Sequence, residues 1–283
     1  MKKTAILVDT ASDLNPRICE EYGIYLLPAY VIFKDKTFRD MLDITPEELY
    51  KRLEVEMPKT STASIGDIEE LYTKIKNDGY ENLVVVNISC ELSSLHNCCK
   101  MAAEDFEGLN IEVIDSKNIA IATGFLGIYA AQLANSGVEF EEIVSKVRGK
   151  LADTKDFFTV ATLKNLIEGG RIGKVSGTIG NLLNIKPIIS CDPEGVYYTV
   201  DKVRGRNRSL SKIADYVREY LGDSKDYYIA ICHGAAPKEA EDMKKKLADL
   251  IENASVVVES EISASLGVHT GAGLVGVGIF KAD

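Results

Sequence analysis

The 283-residue chain has no tryptophan and only three histidines, and it sets 33 Lys and Arg against 43 Asp and Glu, a formal net charge of −10. A chain this short of cations is ill-suited to general binding of nucleic acid or anionic membrane. No apolar run approaches the roughly 20 residues of a membrane span. The N-terminus reads directly as a strand with no secretory leader, so a cytoplasmic protein without stable membrane insertion is expected. The six cysteines, Cys19, Cys90, Cys98, Cys99, Cys191 and Cys232, form no C-x-x-C pair and sit mostly in apolar contexts. They read as small buried hydrophobes in a reducing compartment, not as disulfides or a zinc site. No His or Cys spacing suits another metal.

Common catalytic and cofactor signatures are missing as well. No serine lies in a G-x-S-x-G elbow. Gly271, Gly273 and Gly276 spell G-x-G-x-x-G, but too little chain follows for the helix, strand and ribose-binding acid of a dinucleotide site. Gly169 to Val175 has the outline of a phosphate loop. Its spacing is short, and Val175 stands where magnesium would need Ser or Thr. No metal and no cofactor is expected.

What is present reads as α/β. The length suits two medium domains, each with its own core. Thr4 to Asp9 reads as a buried strand, with a polar turn from Thr10 to Asp13 and a helix from about Pro16. Tyr25 to Phe33 is strand-like, with Pro28 marking an edge or bend. Thr45, Pro46 and Glu48 predict a helix start with a capping box. After Ser64, the apolar residues Ile65, Ile68, Leu71 and Ile75 share one helical face. Asn82 to Ile88 and Asn110 to Asp115 are β-branched strands flanking a helix from Leu92 to Glu104, a βαβ unit that predicts a parallel sheet. Two helices follow, Ile119 to Asn135 and Phe140 to Leu151, and Asp153 to Asp156 reads as a linker. The division is therefore set at 1–155 for an N-terminal α/β domain and 156–283 for a C-terminal one. In the second half, strands are expected near Phe157 to Ala161, Pro187 to Ser190, Val196 to Val200, Tyr227 to Cys232, Ser255 to Val258 and Leu274 to Phe280. Helices near Ser209 to Leu221 and Lys238 to Ile251 interrupt them, giving a mixed α+β lobe.

Three segments carry candidate chemistry. Gly267 to Gly273 places His269 among glycines, where an imidazole in a tight turn can face a cleft; an incidental histidine in a turn is the plain alternative. Thr60-Ser61-Thr62-Ala63-Ser64 leads into a helix, and its hydroxyls with the free helix N–H groups can hold an anion. Leu92-Ser93-Ser94 follows a parallel strand at the edge where open α/β sheets bind ligands. For both hydroxyl segments, ordinary helix capping is the alternative. Arg171 and Lys174 supply positive charge in an acidic chain. Lys202, Arg204, Arg206 and Arg208 recur every second residue, so an extended backbone would put them on one face. Such a stripe fits an acidic partner, or a solvated edge strand protected by charge.

Taken in order, eight motifs resemble those of the DegV family, bacterial fatty-acid-binding proteins that include the FakB subunits of fatty acid kinase. They are Val8 to Leu14, Lys59 to Ser64, Leu92 to Asn97, Ile114 to Lys117, Gly169 to Lys174, Leu183 to Ile189, Lys202 to Arg206 and Gly267 to Gly273. The resemblance covers essentially the whole length. It implies two α/β lobes with a lipid tunnel between them, holding a long-chain fatty acid of about sixteen to eighteen carbons. By position, Ser61 and Ser93 would hydrogen-bond its carboxylate, with Thr60, Thr62, Ser94 and His269 around it and Arg171 and Lys174 steadying the site or the adjoining surface. Lys202, Arg204 and Arg206 would dock a separate ATP-binding kinase subunit, which would phosphorylate the acid, so the chain itself is a carrier and not a catalyst. The chain departs from the usual family pattern at Thr62-Ala63 and Ser94-Leu95, which flank the two serines. Two other readings compete: a serine esterase using Ser93 or Ser61 with His269, and a regulatory protein whose lipid occupancy controls another partner.

Overall fold

The computed structural model describes residues 4–178 and 184–283; Leu183, the first residue of the sixth motif, lies outside them. The first half runs β1 (Thr4–Asp9), α1 (Pro16–Tyr22), β2 (Ile24–Leu27), β3 (Tyr30–Ile32), β4 (Thr37–Arg39), α2 (Pro46–Leu53), β5 (Lys59–Ser61), α3 (Ile65–Asn77), β6 (Asn82–Asn87), α4 (Leu95–Glu104), β7 (Asn110–Asp115), α5 (Ala120–Asn135) and α6 (Phe140–Gly149). The second continues β8 (Thr154–Thr159), α7 (Lys164–Glu168), β9 (Ile185–Cys191), β10 (Tyr197–Arg204), α8 (Arg206–Leu221), β11 (Tyr227–Gly234), α9 (Pro237–Lys246), α10 (Ala248–Asn253), β12 (Val256–Glu261), α11 (Ala264–Thr270) and β13 (Leu274–Lys281).

The expected parallel sheet is present, in the order β2-β1-β6-β7. Alternation along β1 sends Leu7 to the face covered by Ile68, Tyr72 and Cys99, and Val8 to the face covered by α5. The C-terminal sheet is mixed, in the order β10-β9-β8-β13-β11-β12. Its outer face packs on α8 and α9 through Ile213, Val217 and Met243. Its inner face packs on α5, so this helix is covered by both sheets and is buried around nearly its whole circumference. Close contact there depends on missing side chains. A Cβ on Gly127 would stand 2.6 Å from Val8 Cγ1, and one on Gly278 2.3 Å from Ile121 Cγ2.

A small antiparallel sheet, β4-β3-β5, was not foreseen. Pro28 breaks the expected Tyr25–Phe33 strand, so that β2 joins the parallel sheet and β3 the small one. With α2 and α11 the small sheet closes a satellite core around Val31, Phe38, Leu49 and Val268.

Other expectations are corrected by the backbone. Asp153 to Asp156 is not a linker: β8 begins at Thr154 and enters the sheet at once. Thr45 caps α2 by accepting the Glu48 N–H at 3.2 Å, but the full capping box belongs to Ser64 and Asp67 on α3. The helix expected over Lys238–Ile251 is split at Leu247 into α9 and α10. The Gly267–Gly273 segment is not a tight turn, since residues through Thr270 form α11, stopped by Gly271 at φ +69°. The four-cation stripe is broken as well. Lys202 and Arg204 end β10, whereas Arg206 and Arg208 begin α8.

Candidate functional site

The carboxyl ends of β1 and β6 meet β5, α11 and the turn before α4, and a cavity of about 260 Å³ opens among them. Thr60, Ser61, Thr62, Ser93, Ser94, Arg171 and His269 all line it, so segments far apart in sequence are brought together. The small sheet does much of this placement, because pairing of β5 with β3 carries Thr60 beneath α11. There Thr60 Oγ1 is 2.8 Å from His269 Nε2.

His269 Nδ1 is buried without a hydrogen-bond partner and faces Gly169, where a Cβ would lie only 2.2 Å away. Burial, reinforced by the nearby Arg171 charge, lowers the His269 pKa to about 4, so the imidazole is neutral at physiological pH. Arg171 itself is anchored by Nε to the Leu92 carbonyl at 3.2 Å and by Nη1 to the Gly169 carbonyl at 2.8 Å. The guanidinium is thereby fixed at the cavity wall with donors to spare.

The serines are turned to local partners. Ser93 Oγ accepts the Leu95 N–H at 3.2 Å, and Ser61 Oγ donates to the Thr62 carbonyl at 3.1 Å. Ser94 makes no side-chain cap on α4. Lys174 is not part of the cavity: it lies at the surface, paired with Asp192 and 3.7 Å from Glu194. Lys202 and Arg204 are exposed. Arg206 turns inward to Glu239, 2.7 Å away, and to the Gly273 carbonyl.

Sequence reasoning missed Asp9, Tyr197, Ser265 and Thr270, all of which line the cavity. Asp9 had a signal, since an acid ending a buried strand needs a reason to be there. Its Oδ2 accepts the Ile88 N–H at 3.0 Å and the Asn87 amide at 3.2 Å, and its Oδ1 has no partner. Burial raises its pKa to about 6 against those hydrogen bonds.

Ile119, Tyr197, Leu266 and Thr270 also line a second, narrow cavity of about 30 Å³ between α5 and the mixed sheet. Its wall is otherwise mostly apolar, with Ile121, Phe158, Ile262, Leu274 and Val277. The space arises on the inner face of β13, where alternation presents Gly276 and Gly278. A hydroxyl-lined chamber and an apolar one thus lie on either side of a shared wall.

The family model described as an uncharacterised protein of the DegV family matches residues 3–282. The chain belongs to the DegV family. A DegV domain-containing protein of Clostridium acetobutylicum is 41% identical over 281 residues, covering 99% of this chain and 100% of the relative. A fatty-acid-binding DegV protein of Streptococcus agalactiae has the same fold, with TM-score 0.90, 28% identity and 100% of each chain covered. A stearic-acid-binding protein of Eubacterium ventriosum superposes with TM-score 0.88 and 27% identity, covering 99% of this chain and 98% of that one. The two-lobed α/β architecture is therefore that of DegV proteins, and solved members bind fatty acids.

Proposed function

We propose that this DegV protein binds a long-chain fatty acid, with its carboxylate in the hydroxyl-lined chamber and its tail running inward between α5 and the mixed sheet, where the apolar side chains part to admit it, and presents the carboxylate to a separate ATP-binding kinase subunit for phosphorylation. The adjacency of the two chambers, which share Ile119, Tyr197, Leu266 and Thr270, carries the reading, supported by the fatty-acid-binding relatives of the same fold. Burying about sixteen methylene groups at about 0.8 kcal/mol each gives on the order of 10 kcal/mol before ordering costs. The tail then supplies most of the affinity; the hydroxyls and the neutral imidazole hold the head group, and Arg171, with Nε and Nη1 already committed to the Leu92 and Gly169 carbonyls, steadies it from the wall. Those donors hold the carboxylate without a tight bidentate clamp, leaving one oxygen nucleophilic for phosphoryl transfer. Lys202 and Arg204, exposed beside a shallow depression at Arg208, are the cations we assign to docking the kinase. Arg206 supports that strand–helix junction from within.

The esterase reading finds less support. His269 is paired with a threonine, its Nδ1 has no orienting carboxylate, and neither Ser61 Oγ nor Ser93 Oγ is bonded to it. Denaturing solvent extraction of the purified protein followed by mass spectrometry tests the proposal. Near-stoichiometric fatty acid is expected. An empty protein that also fails to take up added fatty acid at micromolar concentration overturns it, and ester turnover abolished by His269→Ala would establish the alternative. With fatty acid and kinase supplied, Ser93→Ala is expected to lower acyl phosphate formation.

A further inference from the structure

The inner chamber contains an ionisable side chain for which a plain hydrocarbon tail has no use. Asp156 in β8 is 5% exposed and lines the chamber among Ile121, Phe158, Cys232 and Leu274. Strand alternation explains its direction: Asp156 shares the α5-facing side of β8 with Phe158, whereas Phe157 points into the outer core with α8. Across the sheet, Asp156 stands opposite Gly278, and Gly278 opposite Ala230. Its neighbour on β13 therefore has no side chain with which to cover or pair it, and on the β9 side it meets the Cys191 backbone N–H and thiol.

The adjacent cation does not serve it either. Lys155 donates to the Cys191 carbonyl at 2.5 Å and lies over the Tyr198 ring. Asp156 Oδ1 is left without a hydrogen-bond partner. Burial raises its carboxyl to about 7, against the pull of the Lys155 charge and the Cys191 N–H. A buried polar atom without a partner is costly, and native interiors retain few of them without a reason.

We infer that Asp156 is a specificity determinant that selects fatty acids bearing a hydroxyl group on the buried part of the chain. This rests on the fatty-acid reading above. An ionised carboxylate would accept the hydroxyl proton, and a protonated one can donate to the hydroxyl oxygen or accept through its carbonyl, so the contact is available in either state. Against an apolar wall the same hydroxyl would lose its water and gain nothing. A site built to hydrogen-bond a ligand hydroxyl discriminates against the analogue lacking it more sharply than an apolar pocket discriminates between chain lengths.

The test is equilibrium binding of stearic acid and of a series of monohydroxylated stearic acids, the hydroxyl stepped from mid-chain to the terminal carbon, on the full chain. One or two neighbouring members of the series are expected to bind about ten-fold tighter than stearic acid. Asp156→Leu and Asp156→Val remove the acid, and whichever variant folds is expected to bind stearic acid at least as well while losing the preference. A series in which no member exceeds stearic acid overturns the inference and leaves the carrier reading intact. A preference that survives in either variant also overturns it. Binding of no fatty acid, hydroxylated or plain, would overturn both readings together.

Discussion

Gly169→Ala probes the contribution of His269 without removing a polar side chain. Gly169 lies at φ −78° and ψ −5°, a helical conformation that alanine adopts freely. On backbone grounds the substitution should stabilise the protein by up to about 1 kcal/mol. The added Cβ, however, would sit 2.2 Å from His269 Nδ1 and 3.0 Å from both its Cε1 and the Asn165 carbonyl oxygen. The ring must rotate or withdraw, breaking the 2.8 Å contact with Thr60. If His269 gives a hydrogen bond to the carboxylate, its displacement removes a charged-group bond worth about 1.5–3 kcal/mol, or roughly ten-fold to a hundred-fold in affinity. The expected result is therefore dissociated: thermal stability nearly unchanged and fatty-acid affinity reduced, measured by calorimetric titration. Because both changes act on one side chain, Gly169→Ala combined with His269→Ala should bind no more weakly than His269→Ala alone. Affinity within two-fold of the unsubstituted protein for Gly169→Ala, with His269→Ala clearly weakened, would refute the reasoning.

Three further outcomes are expected. An anionic head group beside Asp9 favours its neutral form, so affinity should fall as pH rises above about 6 and Asp9→Asn should flatten that profile, read as dissociation constants between pH 5.5 and 8. Asp13 is raised to about 8 chiefly by burial. Its unfolded value is about 3.9, so the folded state binds more protons between those limits and stability falls as pH rises through the window. Melting temperatures should decline from pH 5 to 8, less steeply in Asp13→Asn; an unchanged slope in the variant would count against it. Gly278→Ala should cost stability through overlap with Ile121, with Ile121→Ala in the same chain recovering part of it, as chemical denaturation would show.

The parallel sheet was legible because its strands are runs of β-branched residues spaced by amphipathic helices, and Asn82–Asn87 and Asn110–Asp115 fall where the pattern put them. The small sheet was not, because three-residue strands such as β4 and β5 carry too little periodicity to register. His269 was found through its glycine neighbours, yet its setting was misjudged. Ala264 to Thr270 forms a helix seeded by the Ser263 cap on Leu266, and Gly271 acts as its stop. Arg206 looked like one of four equivalent cations, and only the tertiary pairing with Glu239 sets it apart. Asp156 was hidden for a similar reason. Lying next to Lys155, it read as part of a polar linker, because nothing local shows that the strand is already inside the sheet at Thr154.

Helix α5 has a mechanical consequence. Because it shares its apolar surface between the parallel and mixed sheets, neither half of the protein owns it, and pulling the halves apart would strip it on both sides. The halves should therefore melt in one cooperative transition and fail to fold when produced separately. A molecule entering the interior cannot rely on the halves swinging open like a clam shell. Any route inward lies at the rim, where β5 and the turn before α4 border the cavity.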